Sequence, residues 1–342
     1  MTLVKTYSTV IVSAALLLAL SIFAIFLFRP KPAAAGRIAM AVEFTNHAAA
    51  AYIAQDKGWY KARAVNLSSY TSYATGMALS SALARGEIQV AYMCLAPAIN
   101  AYANARVPLR IVAGTHKYGY ALVVNPKRVS KVEELVEPGV RVGCVREGGA
   151  VDVLMNRAID SYHLDREKML GKVRRASPPK LLIAVKAGQL DAAFLPEHWA
   201  SMAEDLGFRM LLTARDIWPG MQGSVLIVND ELIRDNPGLV RELVAVNQQA
   251  TRWINANPEE AARALARVLS LSDEKFMLAD QAKGKSNLKM SPEMMLRSMG
   301  RLEYTSAISL KDVQQVIEYT ARLGYIEKSF SAERIVDTRY MR

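Results

Sequence analysis

Cysteine is nearly missing from this 342-residue chain, which has only Cys94 and Cys144. Two cysteines cannot build a disulfide scaffold or a Cys-rich zinc module, so the fold has to rest on a packed core. Basic clusters are missing as well. The formal charge is +11, yet there is no basic run of five and no RNP, zinc-finger or basic-zipper pattern. A dispersed charge of this kind is a solvated surface, and nucleic acid is not expected as a partner. Long apolar runs are scarce: one occurs, so a polytopic membrane protein is excluded. No low-complexity segment and no Pro-, Gly- or Ser-rich linker follows it. With 51% apolar and 22% charged residues, wholesale disorder is excluded too.

The single apolar run is Val10–Phe28, preceded by Lys5 and followed by Arg29, Pro30, Lys31 and Pro32. As a helix it spans roughly 28 Å, close to a bilayer core. Two readings compete for residues 1–36. An uncleaved membrane anchor fits the length of the run. A signal peptide fits Ala33-Ala34-Ala35 before Gly36, a small-residue cleavage site. No cysteine lies near residue 30, so lipid attachment there is not expected. Either way the remainder faces outward, in the periplasm or on the outer face of the cell membrane. Lys5, Arg29 and Lys31 flank this run and leave a net +8 on residues 36–342.

From Arg37 onward, short β-rich runs alternate with amphipathic stretches, the pattern of an α/β fold with largely parallel strands. The length exceeds one ordinary core, so two lobes are expected. Strands are predicted at Ile38–Phe44, Val65–Ser69, Ile88–Cys94, Leu109–Thr115, Tyr120–Val124, Val140–Val145, Asp191–Leu195 and Ser224–Val228, among others. Beyond Asn229 everything reads as helix, including Pro258–Leu269, Asp273–Ala282 and Pro292–Tyr304. One unit occurs twice. ALSSALARGEIQVAY at Ala78–Tyr92 and LLIAVKAGQLDAAF at Leu181–Phe194 are each a helix, a glycine and a strand. Each strand then runs into a new helix start, at Cys94-Leu95-Ala96-Pro97 and at Leu195-Pro196-Glu197-His198. Two such lobes place helix amino termini on a shared cleft at the carboxyl ends of strands, where ligands bind in sheets of this kind.

These pieces resemble the extracytoplasmic solute-binding proteins of ABC importers, in the subgroup for nitrate, sulfonates, taurine and thiamine precursors. The resemblance rests on Phe44-Thr45-Asn46-His47 with Tyr52–Tyr60, on Ala82–Ala91, on Val132–Leu135 before Val140–Val145, and on Ala187–Ala192. Gln89 stands where Asp is usual, and Pro138-Gly139 replaces the usual Gly-Lys. The match runs from about Arg37 to Leu271. It implies a periplasmic-binding-protein type II fold, two α/β lobes joined by two crossing strands, with a helical C-terminal region. Lobe one would be 37–117 with 222–342 returning to it, and lobe two 118–221. The crossings would fall near Thr115–Tyr120 and Pro219–Ser224. The implied role is the substrate-binding component of an ABC transporter, handing a small organic solute to a permease driven by a separate ATPase; no Walker loop occurs here. No cofactor is implied. Two other roles belong to the same fold: a ligand-sensing domain, and a pyrimidine-synthase-type enzyme, which uses a PLP lysine and clustered cysteines that this chain lacks.

Candidate ligand contacts follow the helix starts. Asn46 and His47 open the first helix, and the Asn-His pair looks more like the thiamine-precursor binders than the sulfonate binders. Tyr73 and Thr75 sit between a strand and a helix, where Tyr73 could stack on a planar ligand. Cys94 and Leu95 open the next helix; without an orienting His–Asp pattern, Cys94 is expected as a packing residue. His116 and Lys117 at the first crossing offer a cation. Glu147-Gly148-Gly149 opens the first helix of lobe two, and glycine there allows close backbone approach. Glu197 lies in the first turn of a later helix. Glu43 and Arg146 add an acid and a base near the cleft, so the charge sign of the ligand stays open. The histidines at 47, 116, 163 and 198 show no metal-type spacing, and no metal is expected.

Overall fold

The computed structural model of the protein describes residues 37–278 and 290–341. In chain order, β1 (Arg37–Glu43) leads through a short 3₁₀ turn at Asn46–Ala48 into α1 (Ala49–Asp56) and α2 (Trp59–Ala62). Then come β2 (Asn66–Tyr73), α3 (Gly76–Ala84), β3 (Val90–Cys94), α4 (Leu95–Ala103) and β4 (Leu109–Tyr118). The second group is β5 (Tyr120–Val124), β6 (Val142–Cys144), α5 (Ala150–Ser161), α6 (Arg166–Lys172), β7 (Arg174–Arg175), α7 (Pro178–Lys186), β8 (Ala192–Pro196), α8 (Glu197–Asp205), β9 (Arg209–Thr213) and α9 (Ala214–Ile217). The chain then returns with β10 (Gln222–Asn229), α10 (Asp230–Asp235), α11 (Pro237–Ala256), α12 (Pro258–Leu278), α13 (Pro292–Met299), β11 (Leu302–Tyr304) and α14 (Leu310–Arg322).

Local chemistry sets many of these boundaries. Thr75 and Ser291 cap α3 and α13 by accepting from the backbone N–H of Ala78 and Met294. Asn236 caps α11 in the same way, with Pro237 at its first turn, where no N–H is needed. The repeated unit ends alike in both copies: Gly86 (φ +73°) and Gly188 (φ +64°) take the left-handed conformation that stops a helix before its strand.

The strands form two sheets, in the orders β11-β4-β10-β3-β1-β2 and β7-β6-β8-β5-β9. Alternation suggested largely parallel sheets, but both are mixed. β1 pairs parallel with β3, while β10 pairs antiparallel with β3 and β4. In the second sheet β6 is parallel to β7 and β8, and β5 is antiparallel to β8 and β9. The reason is topological: β5 and β10 carry the chain across from one sheet to the other and enter against the βαβ direction. Strands β3, β5 and β8 are buried at every position, as strands covered on both faces must be. Register then lines up one row of the first sheet. Tyr304 faces His116, His116 faces Ser224, and Ser224 faces Cys94.

Two expectations for the C-terminal region are corrected. The chain after Asn229 is not all helix, because Leu302–Tyr304 leaves α13 and adds to the edge of β4. A three-residue strand carries no pattern of its own; the free edge of β4 induces it. The helix expected to break at Leu269 runs on through Leu278. Among the described residues no helix is long and apolar enough to cross a membrane. The run Val10–Phe28, read above as anchor or signal peptide, lies outside them.

Side-chain hydrogen bonds also tie the sheets together beside the crossings. Arg301 donates to Glu197 (3.1 Å) and Glu204 (2.7 Å) on α8, and Tyr319 on α14 donates to Asp160 (2.7 Å).

Candidate functional site

The helix starts that face one another across the two sheets enclose a narrow cavity of about 50 Å³. Glu43, Thr45, Thr75, Gly76, Cys94 and Pro97 form one wall, and Tyr120, Val145, Gly149, Ala150, Val151, Pro178 and Pro196 the other, with Arg146 also on the lining. A small-molecule site needs roughly 300 Å³ or more, so entry of a solute requires the walls to part.

The first wall is built around Glu43, the last residue of β1. Its side chain is buried, and its two carboxylate oxygens accept from the Cys94 backbone N–H (2.8 Å) and from the Cys94 thiol (2.9 Å). The fit is close. A Cβ added at Gly76 would lie 2.2 Å from the Glu43 carboxylate and 2.8 Å from Pro97. Ser224, opposite Cys94 in the sheet, donates to Sγ from 3.5 Å. His47 Nδ1 stands 3.7 Å from the same sulfur. The other ring nitrogen of His47 is 2.6 Å from the Gly119 carbonyl, which can only accept, so Nε2 carries the proton and Nδ1 is a free lone pair.

Burial dominates the electrostatics. It pushes the Glu43 carboxyl above its ordinary range, against the Cys94 hydrogen bonds that pull it down. It pushes the Cys94 thiol well up, helped by the neighbouring Glu43 charge. The Tyr120 phenol rises for the same reason, and next because of Cys94. Burial holds His47 neutral, with a pKa lowered to about 4. Among the described residues no lysine or arginine is hydrogen-bonded or ion-paired to Glu43, Cys94 or Tyr120.

The residues picked out from the sequence are only partly brought together. Cys94, Thr75 and Gly149 line the cavity, and His47 stands directly behind Cys94. Asn46 is buried one layer back, donating to Ser298 from its Nδ2 (2.9 Å). Leu95 is fully buried in the core, and Tyr73 closes β2 as a half-buried packing residue. His116 does not line the cavity. It stacks on His47 with ring centroids 4.4 Å apart, and burial keeps it neutral, so it offers no cation. Lys117 is engaged by Asp312 at 3.1 Å. Glu147 points outward, 70% exposed, 3.8 Å from Arg175. The Gly148 carbonyl accepts from Asn100 across the two lobes (3.1 Å). Glu197 is buried beside the cavity but turned to Ser201 and Arg301, and burial raises its pKa to about 7. Sequence reasoning named Glu43 only as an acid near the cleft and Pro196 only as part of a helix start, and did not pick out Tyr120 or Ser224. Their only signal is strand register.

The model of the NMT1-like family matches residues 32–270. A Brucella abortus protein provisionally named as a binding protein is 28% identical over 158 residues, 43% of this chain and 46% of that one. The chain thus spans about half the length of the curated relatives it matches. Three solved structures share the fold. The alkanesulfonate-binding protein SsuA from Xanthomonas axonopodis pv. citri, bound to MOPS, superposes with TM-score 0.72 at 16% identity, covering 90% of this chain and 100% of that one. The ligand-binding component of an ABC-type import system from Staphylococcus aureus, with zinc bound, gives 0.71 at 14%, covering 89% and 97%. The periplasmic nitrate-binding protein NrtA from Synechocystis PCC 6803 gives 0.69 at 15%, covering 90% and 86%.

Proposed function

The chain belongs to the NMT1-like family, and from that premise we propose that it is the solute-capturing component of an ABC importer. It works outside the cytoplasm, held or led there by its N-terminal apolar segment, and passes its solute to a permease. The observation that carries this reading is the cavity itself, framed by helix starts from both sheets and too tight to fill without opening. Capture would draw the lobes together around the solute by shifting a pre-existing equilibrium.

The lining favours one class of solute. A sulfonate or nitrate needs cationic or amide donors, and the polar centre of this cavity is instead an acid cluster at Glu43, Cys94 and Tyr120. Of the lining residues Arg146 is the cation, and its side chain is exposed. Apolar contacts from Val145, Val151, Pro178 and Pro196 suit the faces of a planar ring. We therefore assign a neutral or weakly basic heteroaromatic compound, whose ring N–H or amine meets the Glu43 carboxyl. The site is a poor catalyst. A thiol raised by burial is not a thiolate nucleophile near neutral pH, and no lysine lines the cavity to hold an aldehyde cofactor.

The test is a thermal-shift and calorimetric screen of the full chain against pyrimidines, flavins, alkanesulfonates and nitrate. Stabilisation by a heteroaromatic compound is expected. Stabilisation by the anions alone would overturn the ligand class, and stabilisation by none would overturn solute capture by this subgroup.

A further inference from the structure

The first wall and the turn behind it bring three side chains of metal-ligating type together. Glu43, His47 and Cys94 are all buried, and one donor atom from each lies within 4.8 Å of the others. We propose that Glu43, His47 and Cys94 hold one divalent ion of the zinc class, with a fourth position open to the interlobe cavity.

Three independent features support it. The first is spacing. A tetrahedral zinc with bonds of 2.3 Å to sulfur and about 2.0 Å to nitrogen separates those two atoms by roughly 3.5 Å. Cys94 Sγ and His47 Nδ1 are 3.7 Å apart. The thiol and Glu43 Oε2, at 2.9 Å, are closer because a proton now lies between them, and they would spread as an ion replaces it. The second is orientation. The proton on His47 Nε2 is fixed by the Gly119 carbonyl, which aims the Nδ1 lone pair at the sulfur. A backbone carbonyl behind a ligating imidazole is the usual outer support of a metal site. A Cβ at Gly119 would lie 2.8 Å from Nε2, so this carbonyl and ring meet only because residue 119 is glycine. The third is charge. Glu43 and Cys94 are buried side by side with no lysine or arginine hydrogen-bonded or ion-paired to them among the described residues, and a dication supplies the opposite charge. On binding, the thiol proton and any carboxyl proton leave to solvent, so a 2+ ion meets one thiolate and one carboxylate.

The donor set, one sulfur, one imidazole and one carboxylate in a buried pocket, suits zinc or cobalt and not calcium or magnesium. Three protein ligands with a free position is the arrangement of an open site, not of a closed structural one. The residues sit on three segments, β1, the turn after it and the end of β3, so no sequence spacing betrays them. Only the fourth position rests on the solute reading above: a ring nitrogen could occupy it, and water otherwise.

Cobalt(II) titration of the metal-free full chain tests the site. The expected result is one equivalent bound, with a near-ultraviolet sulfur-to-cobalt charge-transfer band and visible bands of four-coordinate intensity. Cys94→Ser should abolish the charge-transfer band and weaken binding at least tenfold. His47→Gln should weaken binding tenfold or more with the band retained at saturation, and Cys144→Ser should change neither. Circular dichroism melts verify that each variant folds, and the wild-type spectrum decides thiolate ligation without any variant. No charge-transfer band in the wild type, or a band that survives Cys94→Ser, overturns the site. Cobalt bound as expected while every solute in the screen fails would overturn the solute reading and leave the metal site standing.

Discussion

The two walls of the cavity descend from the same helix–glycine–strand unit, yet they present opposite chemistry. In the first, β3 ends at Cys94, whose N–H and thiol both engage Glu43. In the second, β8 ends at Pro196, which has no N–H to give, and the neighbouring residues are Val145, Val151 and Pro178. Tyr120, beside Pro196 in the register, sends its hydroxyl back to the Gly223 carbonyl of the other sheet (3.2 Å). One repeated scaffold thus carries a polar, proton-rich face and an apolar cover. The difference teaches that in this protein recognition is concentrated on the first wall, while the second excludes water from it.

The largest effects should separate the walls. Glu43→Ala leaves the buried Cys94 N–H without an acceptor and opens a void, and should cost about 3–4 kcal/mol in urea denaturation. Val151→Ala on the facing wall should cost about 1–2 kcal/mol. Equal losses would break the contrast. A pH series probes the start of α8 behind the second wall. The buried Glu197 carboxyl keeps its proton up to about pH 7, whereas the unfolded chain releases it near 4.5. Its stabilising protonation is fully present below the unfolded value and is lost as pH rises through the folded one. Raising pH from 4.5 to above 7 should therefore remove roughly 2–3 kcal/mol of stability through this group. Glu197→Gln should flatten that part of a stability–pH profile, and an unchanged slope would refute the assignment.

Glycine at the two helix starts gives a finer comparison. Gly76→Ala drives a methyl into the Glu43 carboxylate and Pro97, and should cost about 2 kcal/mol. Gly149→Ala meets the Arg146 carbonyl at 3.1 Å and a Val145 methyl carbon at 3.3 Å, a smaller adjustment, and should cost under about 1 kcal/mol. Chemical denaturation of both variants measures the pair, and the reverse order would show the second wall to be the tighter one. Smallest of all, Glu147→Ala at the outer rim removes a 3.8 Å exposed pair with Arg175 and should change stability by less than about 0.5 kcal/mol. A larger loss in the same denaturation assay would mean that the rim, too, shapes the site.

Much of the frame was legible in the chain. Gly86, Gly188 and the apolar runs of β3, β5 and β8 act locally, so periodicity and turn chemistry reveal them. Cys94 and Gly149 were legible because they begin helices after strands. Tyr73, Leu95 and Glu147 were picked out by the same logic, and His116 by its place at the first crossing; none of the four lines the cavity, because which way such a side chain turns depends on what packs against it. β11 was invisible, being a strand only in the presence of the edge of β4.

Sequence alone therefore settled the alternation of elements and the repeated unit. Those depend on interactions within a few residues, whose signature is written in order. Only the tertiary structure decided which side chains share the cavity. Glu43, His47 and Cys94 come from separate segments, and Ser224 reaches Cys94 through a strand that returns 130 residues later. Their meeting is fixed by strand register between distant parts of the chain, and register is a property of the packed sheets and of no single stretch of residues.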